Sequence, residues 1–107
     1  IHTHSGFGII LKLQATIDNK TNNQMLEQIQ GYIGQAKLRK AIDEMLTLTS
    51  GKFPDLHNQT IMQSSRLSQL EQGERNGGLG FSQANMTRAQ ITNALLSILN
   101  ELREEMA

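Results

Sequence analysis

The spacing of apolar residues near the C-terminal end of the chain is the feature that most constrains the fold. Apolar side chains recur there at steps of three and four, at Ile91, Ala94, Leu95, Ile98, Leu99, Leu102 and Met106. This period predicts an amphipathic helix that is capped by Gly80 or Ser82 and runs to about Glu105. A helix with one apolar stripe must bury that stripe, so the rest of the chain has to supply packing partners for it.

Two shorter helices are predicted nearer the N-terminus. The first begins at a capping box formed by Thr21 and Gln24, and its apolar row is Leu26, Ile29 and Ile33. Gly34 is predicted to end this helix as a left-handed cap. The second helix is predicted from about residue 36 to 49, again with apolar residues at helical spacing. Because the connection between the two is so short, we expect them to pack antiparallel.

A third helix is predicted from Phe53-Pro54-Asp55 to about Arg75, since proline and aspartate both favour a first helical turn. The apolar members predicted for its buried stripe are Leu56, Ile61, Met62, Leu67 and Leu70. Ser64, Ser65 and Ser68 interrupt the stripe, which small side chains can do where two helices approach closely. The glycine-rich stretch 76–80 then predicts a turn, because each glycine disfavours a helix by about 1 kcal/mol relative to alanine.

Residues 7–17 have a different pattern, in which apolar and polar residues alternate. This period of two predicts a β-strand, which would pair with a copy of itself or with an upstream neighbour; a helix over the same stretch is the alternative. We therefore predict an all-α fold, a small antiparallel four-helix bundle over residues 21–107, with residues 1–20 as an additional N-terminal strand or a linker or tag-derived segment. The chain opens on Ile1 rather than Met, which indicates a piece of a longer protein.

Composition excludes several classes of function. The 107 residues include 10 Lys plus Arg, 10 Asp plus Glu and no cysteine, for a formal net charge of zero. A neutral chain has no overall field to attract nucleic acid or an anionic membrane, which argues against a helix-turn-helix DNA-binding protein built around the short link at Gly34. Without cysteine there is no disulfide, thiolate nucleophile or cysteine-bound metal, and a cytoplasmic location is compatible with this.

No catalytic or metal-binding pattern emerges. His2 and His4 are only two potential metal ligands at a chain end, and Asp55 and His57 are spaced so that they do not share a helical face. The glycines in 77–80 lack the Gly-Lys-Ser/Thr ending and the preceding strand of a phosphate-binding loop. We therefore predict no catalytic, cofactor-binding or metal-binding residues, and no enzymatic activity.

Two charged groups and the methionines remain to be placed. Glu101, Glu104 and Glu105 near the end of the last helix are either a solvated tail or a patch for a partner, and Lys37, Arg39 and Lys40 are their basic counterpart. Methionine adapts its shape to core gaps, so the default prediction for Met25, Met45, Met62, Met86 and Met106 is the core, with an exposed docking surface as the alternative.

Residues 55–102 contain several motifs: "SSRL" at 64–67 with Leu70-Glu71, Arg75 before the glycine turn, Ala84-Asn85, and the closing "ALLSILNEL". With these motifs the stretch resembles the effector-associated domains of bacterial conflict and immunity systems, specifically the subtype numbered eleven. The stretch 29–48, "IQGYIGQAKLRKAIDEMLTL", resembles the usual lead-in of that family. The likeness covers about residues 25–103.

The resemblance implies a small helical adaptor domain, similar in role to death-fold domains, in which like binds like to bring an effector and its regulator together. The expected partner is a protein with a like domain, including a second copy of this chain, and no nucleic acid, membrane, cofactor or small-molecule substrate is expected. The residues predicted to form the interaction surface are Arg66, Gln69, Gln72, Glu74, Arg75 and Arg88. The alternative is a structural oligomerisation or regulatory domain that assembles through its N-terminal strand.

Overall fold

A computed structural model of the chain describes residues 22–106, which form four α-helices and contain no β-strand. The helices are α1 over 22–34, α2 over Leu38–Thr49, α3 over Pro54–Arg75 and α4 over Phe81–Met106. The predicted all-α fold class is confirmed, and the ends of α2, α3 and α4 agree with the predicted ends to within about two residues. The predicted strand over 7–17 and the Thr21 cap lie outside the described residues.

Side-chain contacts show how α2, α3 and α4 run relative to one another. Arg39, in the first turn of α2, reaches Ser68 in the second half of α3, whereas Thr49 at the end of α2 contacts His57 in the first turn of α3. Helices α2 and α3 are therefore antiparallel, as expected for two helices joined by a four-residue connection. Helix α4 returns along α3, and Arg103 near its C-terminal end donates to Gln30 of α1.

One continuous apolar core joins the four helices. Its fully buried members come from several helices and include Ile29, Ile42, Met45, Leu95 and Leu102. Burial of each such side chain contributes about 1.5–3 kcal/mol relative to its exposure to water. The core is built almost entirely from leucine, isoleucine, methionine and alanine, which is the set that suits helix packing.

Helix α3 buries a different row from the predicted one. Ile61 and Met62 are 44% and 62% exposed, so their prediction as members of the buried stripe is wrong. The buried row is instead Leu56, Thr60, Gln63, Leu67 and Leu70, whose steps of four and three residues continue without a break. Two polar residues occupy core positions of this row because their helical register, and not their polarity, determines which way they face.

The two polar residues in the core of α3 differ in how their hydrogen bonds are satisfied. The hydroxyl of Thr60 donates to the carbonyl oxygen of Leu56 at 2.8 Å, which removes the cost of its burial. The Oε1 atom of Gln63 has no hydrogen-bond partner among the described residues. An unpaired buried carbonyl of this kind costs about 1–3 kcal/mol.

The methionines divide between core and surface. Met45 is fully buried, and Met25 and Met106 are partly buried against the core. Met62 and Met86 are 62% and 63% exposed. The default prediction that all five lie in the core is therefore wrong for these two, because both lie on helix faces turned away from the buried rows.

The turn after α1 corrects another prediction. Gly34 is still helical, and the left-handed residue is Ala36, with φ of 60°. The amide of Lys37 donates to the carbonyl of Tyr32 at 2.8 Å, and the amide of Ala36 donates to that of Ile33 at 3.1 Å. These two bonds define a Schellman cap. Since the helix continues through Gly34, the position that requires positive φ falls two residues later, on an alanine.

The turn after α3 has the same cap with a glycine in the left-handed position. Gly77 has φ of 69°, its amide donates to the carbonyl of Glu74 at 3.2 Å, and the amide of Gly78 donates to that of Gly73 at 2.9 Å. The carbonyl of Gly80 then accepts the amide of Ala84 at 3.0 Å. Gly80, one of the two predicted caps, thus precedes the first residue of α4, and the glycine-rich stretch forms the predicted turn.

Candidate functional site

The residues predicted to form an interaction surface fall into two groups. Arg66 and Gln69 line a shallow depression of about 420 Å³ between α3 and α4. Glu74, Arg75 and Arg88 line a second depression, of about 430 Å³, near the C-terminal end of α3. The remaining predicted residue, Gln72, is exposed and lines neither. The six residues therefore do not line a single depression, because a helix distributes positions 66–75 around much of its circumference.

The first group belongs to a surface where α3 and α4 lie side by side, which we call the α3–α4 face. Arg66 donates to Oε1 of Gln90 at 3.2 Å across the two helices. Met62 lies one turn before Arg66 on α3, and Met86 lies one turn before Gln90 on α4. Since the helices are antiparallel, the two exposed methionines flank the Arg66–Gln90 contact from opposite ends. Exposed methionines give a surface that can adapt to different partners.

The second group is part of a larger set of charges that joins three helices. Arg88 of α4 pairs with Glu74 of α3. Arg39 of α2 donates to Glu71 of α3 at 2.7 Å and also to the hydroxyls of Ser64 at 3.1 Å and Ser68 at 3.0 Å. The serines expected to allow close helix approach thus accept hydrogen bonds from the neighbouring helix.

The Arg39–Glu71 contact was missed in the sequence. The two residues are 32 positions apart, and no local pattern indicates that they meet. The three basic residues in 37–40 indicated only that the start of α2 carries positive charge. The pairing depends on α2 packing antiparallel to α3, which is decided by the core.

We call the whole set the basic surface, and it carries five cationic side chains and two carboxylates, a net charge of +3. Its members are Lys37, Arg39, Lys40, Glu71, Glu74, Arg75 and Arg88. Lys40 also lies over the ring of Tyr32, with Nζ 5.8 Å from the ring centre. Within residues 22–106, neither Lys37 nor Arg75 forms an ion pair.

The ion pairs of the basic surface contribute little to stability. The side chains of Arg39 and Glu71 are 39% and 46% exposed, and those of Arg88 and Glu74 are 40% and 36% exposed. Pairs as accessible as these are worth a few tenths of a kcal/mol and are screened by salt. The surface can therefore exchange its internal partners for those of another molecule at low cost.

The predicted acidic group lies at the other end of α3. Glu101, Glu104 and Glu105 line a depression of about 500 Å³ together with Lys52 and Asp55. We call these five residues the acidic surface, and its four carboxylates and one cation give a net charge of −3. The half-buried ring of Phe53 and the exposed ring of Pro54 also line the depression.

His57 has a structural role. Its Nδ1 lies 2.9 Å from Oγ1 of Thr49, a fully buried hydroxyl that itself donates to the carbonyl of Met45 at 2.8 Å. A hydroxyl has a single proton to donate, so Nδ1 of His57 is the donor in the tautomer that keeps the Thr49 hydroxyl donating to the carbonyl of Met45. The ring nitrogen that faces the protein thus ties the end of α2 to the start of α3.

The glycine turn after α3 does not offer a phosphate-binding loop. The amides of Gly77 and Gly78 already bond to carbonyls of α3, so they are not free to hold a phosphate. No group of three or more His, Asp or Glu side chains in the described part of the chain is arranged to bind a metal ion; His2 and His4 lie outside that part. None of the helices over residues 22–106 is long and apolar enough to cross a membrane.

The fold and its surfaces define a small all-α bundle domain with two patches of opposite charge. The model of the family described as effector-associated domain 11 matches residues 24–103. The chain therefore belongs to the effector-associated domain 11 family, and the resemblance seen in the sequence is confirmed over almost the same range. Neither the curated proteins nor the solved structures include a significant match to the chain.

Proposed function

We propose that this chain is a non-catalytic adaptor module that couples an effector to its regulator in a bacterial conflict or immune signalling system. It does so in the cytoplasm by associating with a like domain, either on a partner protein or on a second copy of the chain. The observation that carries the proposal is the membership of residues 24–103 in the effector-associated domain 11 family.

The surfaces support a binding role. The α3–α4 face presents Arg66, Gln69 and two exposed methionines, and the basic surface presents cations held only by exposed ion pairs. Interfaces of reversible complexes combine polar and charged groups with a few apolar anchors, and charge complementarity gives them specificity. The α3–α4 face has this mixture, and the basic surface supplies the charge that complementarity requires.

The titratable groups in the structure support a non-catalytic role. His57 is the histidine of the described region, and its Nδ1 is engaged by Thr49 in a contact between α2 and α3. The carboxylates of the basic surface pair with arginines, and those of the acidic surface are not joined by a hydrogen-bonded base among residues 22–106. The hydroxyl beside the His57 ring, that of Thr49, is fully buried, so an accessible nucleophile with an adjacent base, which covalent catalysis needs, is not assembled in this part of the chain.

The test is self-association of the whole chain. Light scattering after size exclusion, across loading concentrations from about 10 μM to about 1 mM, is expected to show a mass that rises with concentration, as weak reversible association requires. A pull-down with a second protein that carries a domain of this family is expected to capture the chain. A strict monomer that also fails to bind a like domain would contradict the proposal.

A shortened chain of residues 21–107 separates the adaptor hypothesis from assembly through an N-terminal strand. If the helical surfaces mediate the contact, the shortened chain associates as the full chain does, with the same helix content by circular dichroism. Loss of association in a shortened chain that remains folded would indicate that residues 1–20 form the contact.

A further inference from the structure

The two charged surfaces lie at opposite ends of α3. Asp55 of the acidic surface is in the first turn, and Arg75 of the basic surface is the last residue of this 22-residue helix. At 1.5 Å per residue the two positions are about 30 Å apart. Charges in physiological salt are screened beyond about 8 Å. The net +3 and net −3 surfaces therefore cannot neutralise each other within one molecule.

Parts of both surfaces are placed unfavourably for their own helices, although Asp55 and Arg75 suit the two ends of α3. The first turn of α2 has no acidic residue and contains Arg39 and Lys40, although the N-terminal end of a helix favours negative charge. The C-terminal end of α4 carries three glutamates against the single cation of Arg103, although that end favours positive charge. Glu101 and Glu105 are also four residues apart, a spacing at which like charges repel.

These arrangements lower the stability of the isolated domain. A docked surface of opposite charge would relieve the repulsion at both ends. The net charges of the two surfaces also match in magnitude, since each carries three; the acidic surface lines one shallow depression and the basic surface lines two. The opposite charge that would neutralise each surface is thus present at the other end of the same chain.

We propose that the basic surface of one copy binds the acidic surface of a second copy, so that the chain associates head to tail. The inference rests on the proposed function, in which like binds like, and adds which two surfaces meet. Lys37 and Arg75, which are not in ion pairs within residues 22–106, supply positive charge to Glu104 and Glu105 of the neighbouring copy. When two copies bind in this way, the pair still has one unoccupied basic surface and one unoccupied acidic surface. Further copies can therefore add, and the assembly becomes a closed ring or an open filament.

Two charge-reversal variants of the full chain test the proposal. The first combines Lys37→Glu with Arg75→Glu, and the second combines Glu104→Lys with Glu105→Lys. All four side chains are exposed and none is in an ion pair of the described region, so both variants are expected to keep the wild-type circular dichroism. The urea midpoint is expected to change only slightly, and to rise for the Glu104→Lys and Glu105→Lys pair, which relieves the repulsion at the end of α4. Asp43→Lys, an exposed reversal in α2 outside both surfaces, is the matched control.

Each double variant is expected to associate with itself at least tenfold more weakly than the wild type, whereas Asp43→Lys associates normally. An equimolar mixture of the two variants retains one intact basic surface and one intact acidic surface. The mixture is therefore expected to approach the mass of a dimer of one copy of each variant as concentration rises, and not to exceed it. Raising the salt to about 1 M, where screening extends only about 3 Å, is expected to dissociate it.

The outcomes separate this inference from the proposed function. If the double variants associate as the wild type does, or if their mixture stays monomeric while the wild type associates, the head-to-tail contact is overturned and the adaptor function stands. A wild-type chain that neither self-associates nor binds a like domain overturns both.

Discussion

Exchanging the residue types at Gly34 and Ala36 should stabilise the domain. Gly34 is helical and a Cβ atom built on it meets nothing within 4 Å, whereas Ala36 is left-handed with φ of 60°. Alanine in place of a helical glycine gains about 0.5–1 kcal/mol. Glycine in place of a left-handed alanine removes backbone strain of about 1–2 kcal/mol. This gain is reduced by up to about 1 kcal/mol, because glycine raises the conformational entropy of the unfolded chain. The double variant is therefore expected to gain about 1–2 kcal/mol.

The measurement is urea unfolding followed by circular dichroism at 222 nm, on the wild type, Gly34→Ala, Ala36→Gly and the double variant. A gain in the free energy of unfolding appears as a higher midpoint with an unchanged slope. Gly31→Ala is the matched control, because Gly31 is also helical and exposed, with nothing within 4 Å of an added Cβ. Gly34→Ala is expected to have the same sign as this control.

The sign of the Gly34→Ala result decides between two structures of the turn. If Gly34 were the left-handed cap, alanine there would be strained and the variant would lose about 1 kcal/mol or more. A destabilised Gly34→Ala beside a stabilised Gly31→Ala would therefore refute the assignment of the left-handed position to Ala36. Destabilisation by Ala36→Gly would do the same.

Three further substitutions test the core and the turns by the same unfolding assay. Gln63→Met removes the buried, unpaired Oε1 and is expected to stabilise by about 1 kcal/mol; a loss of stability would show that this oxygen has a partner. Thr49→Val removes the buried hydroxyl that bonds to Met45 and His57, and it should lower the free energy of unfolding by about 1–2 kcal/mol. The control Thr47→Val removes an exposed hydroxyl and should change the free energy of unfolding by less than about 0.5 kcal/mol. A Cβ atom at Gly73 would lie 2.6 Å from Cδ1 of Leu79. Gly73→Ala should therefore raise the free energy of unfolding by about 1 kcal/mol more in a Leu79→Ala background than in the wild type. Equal effects in the two backgrounds would contradict that contact.

The sequence was sufficient to predict the four helices and the family. Helical periodicity and turn-forming residues are local signals, and the strong stripe from Ile91 to Leu102 carried them most clearly. The left-handed Gly77 could also be predicted as part of a turn, because glycine is the residue that tolerates positive φ. Ala36 could not, since alanine gives no such signal.

The candidate surfaces were predictable only in part. The acidic and basic groups were visible as runs of charge, but the contact of Arg39 with Glu71 joins residues 32 positions apart. Likewise, Arg66 and Arg75 are near each other in the sequence but line different depressions. Which charges share a surface depends on how helices pack, and a single sequence has no local record of that packing.

The amino-acid sequence by itself determined where the chain is helical, because helix formation depends on residues three and four positions apart. Only the tertiary structure decided that Thr60 and Gln63 enter the core while Ile61 and Met62 face outward. The physical reason is that a rigid helix can present just one row to its neighbours. The position of that row is set by the combined packing of all four helices, so a polar side chain in register is buried and an apolar one out of register is left exposed.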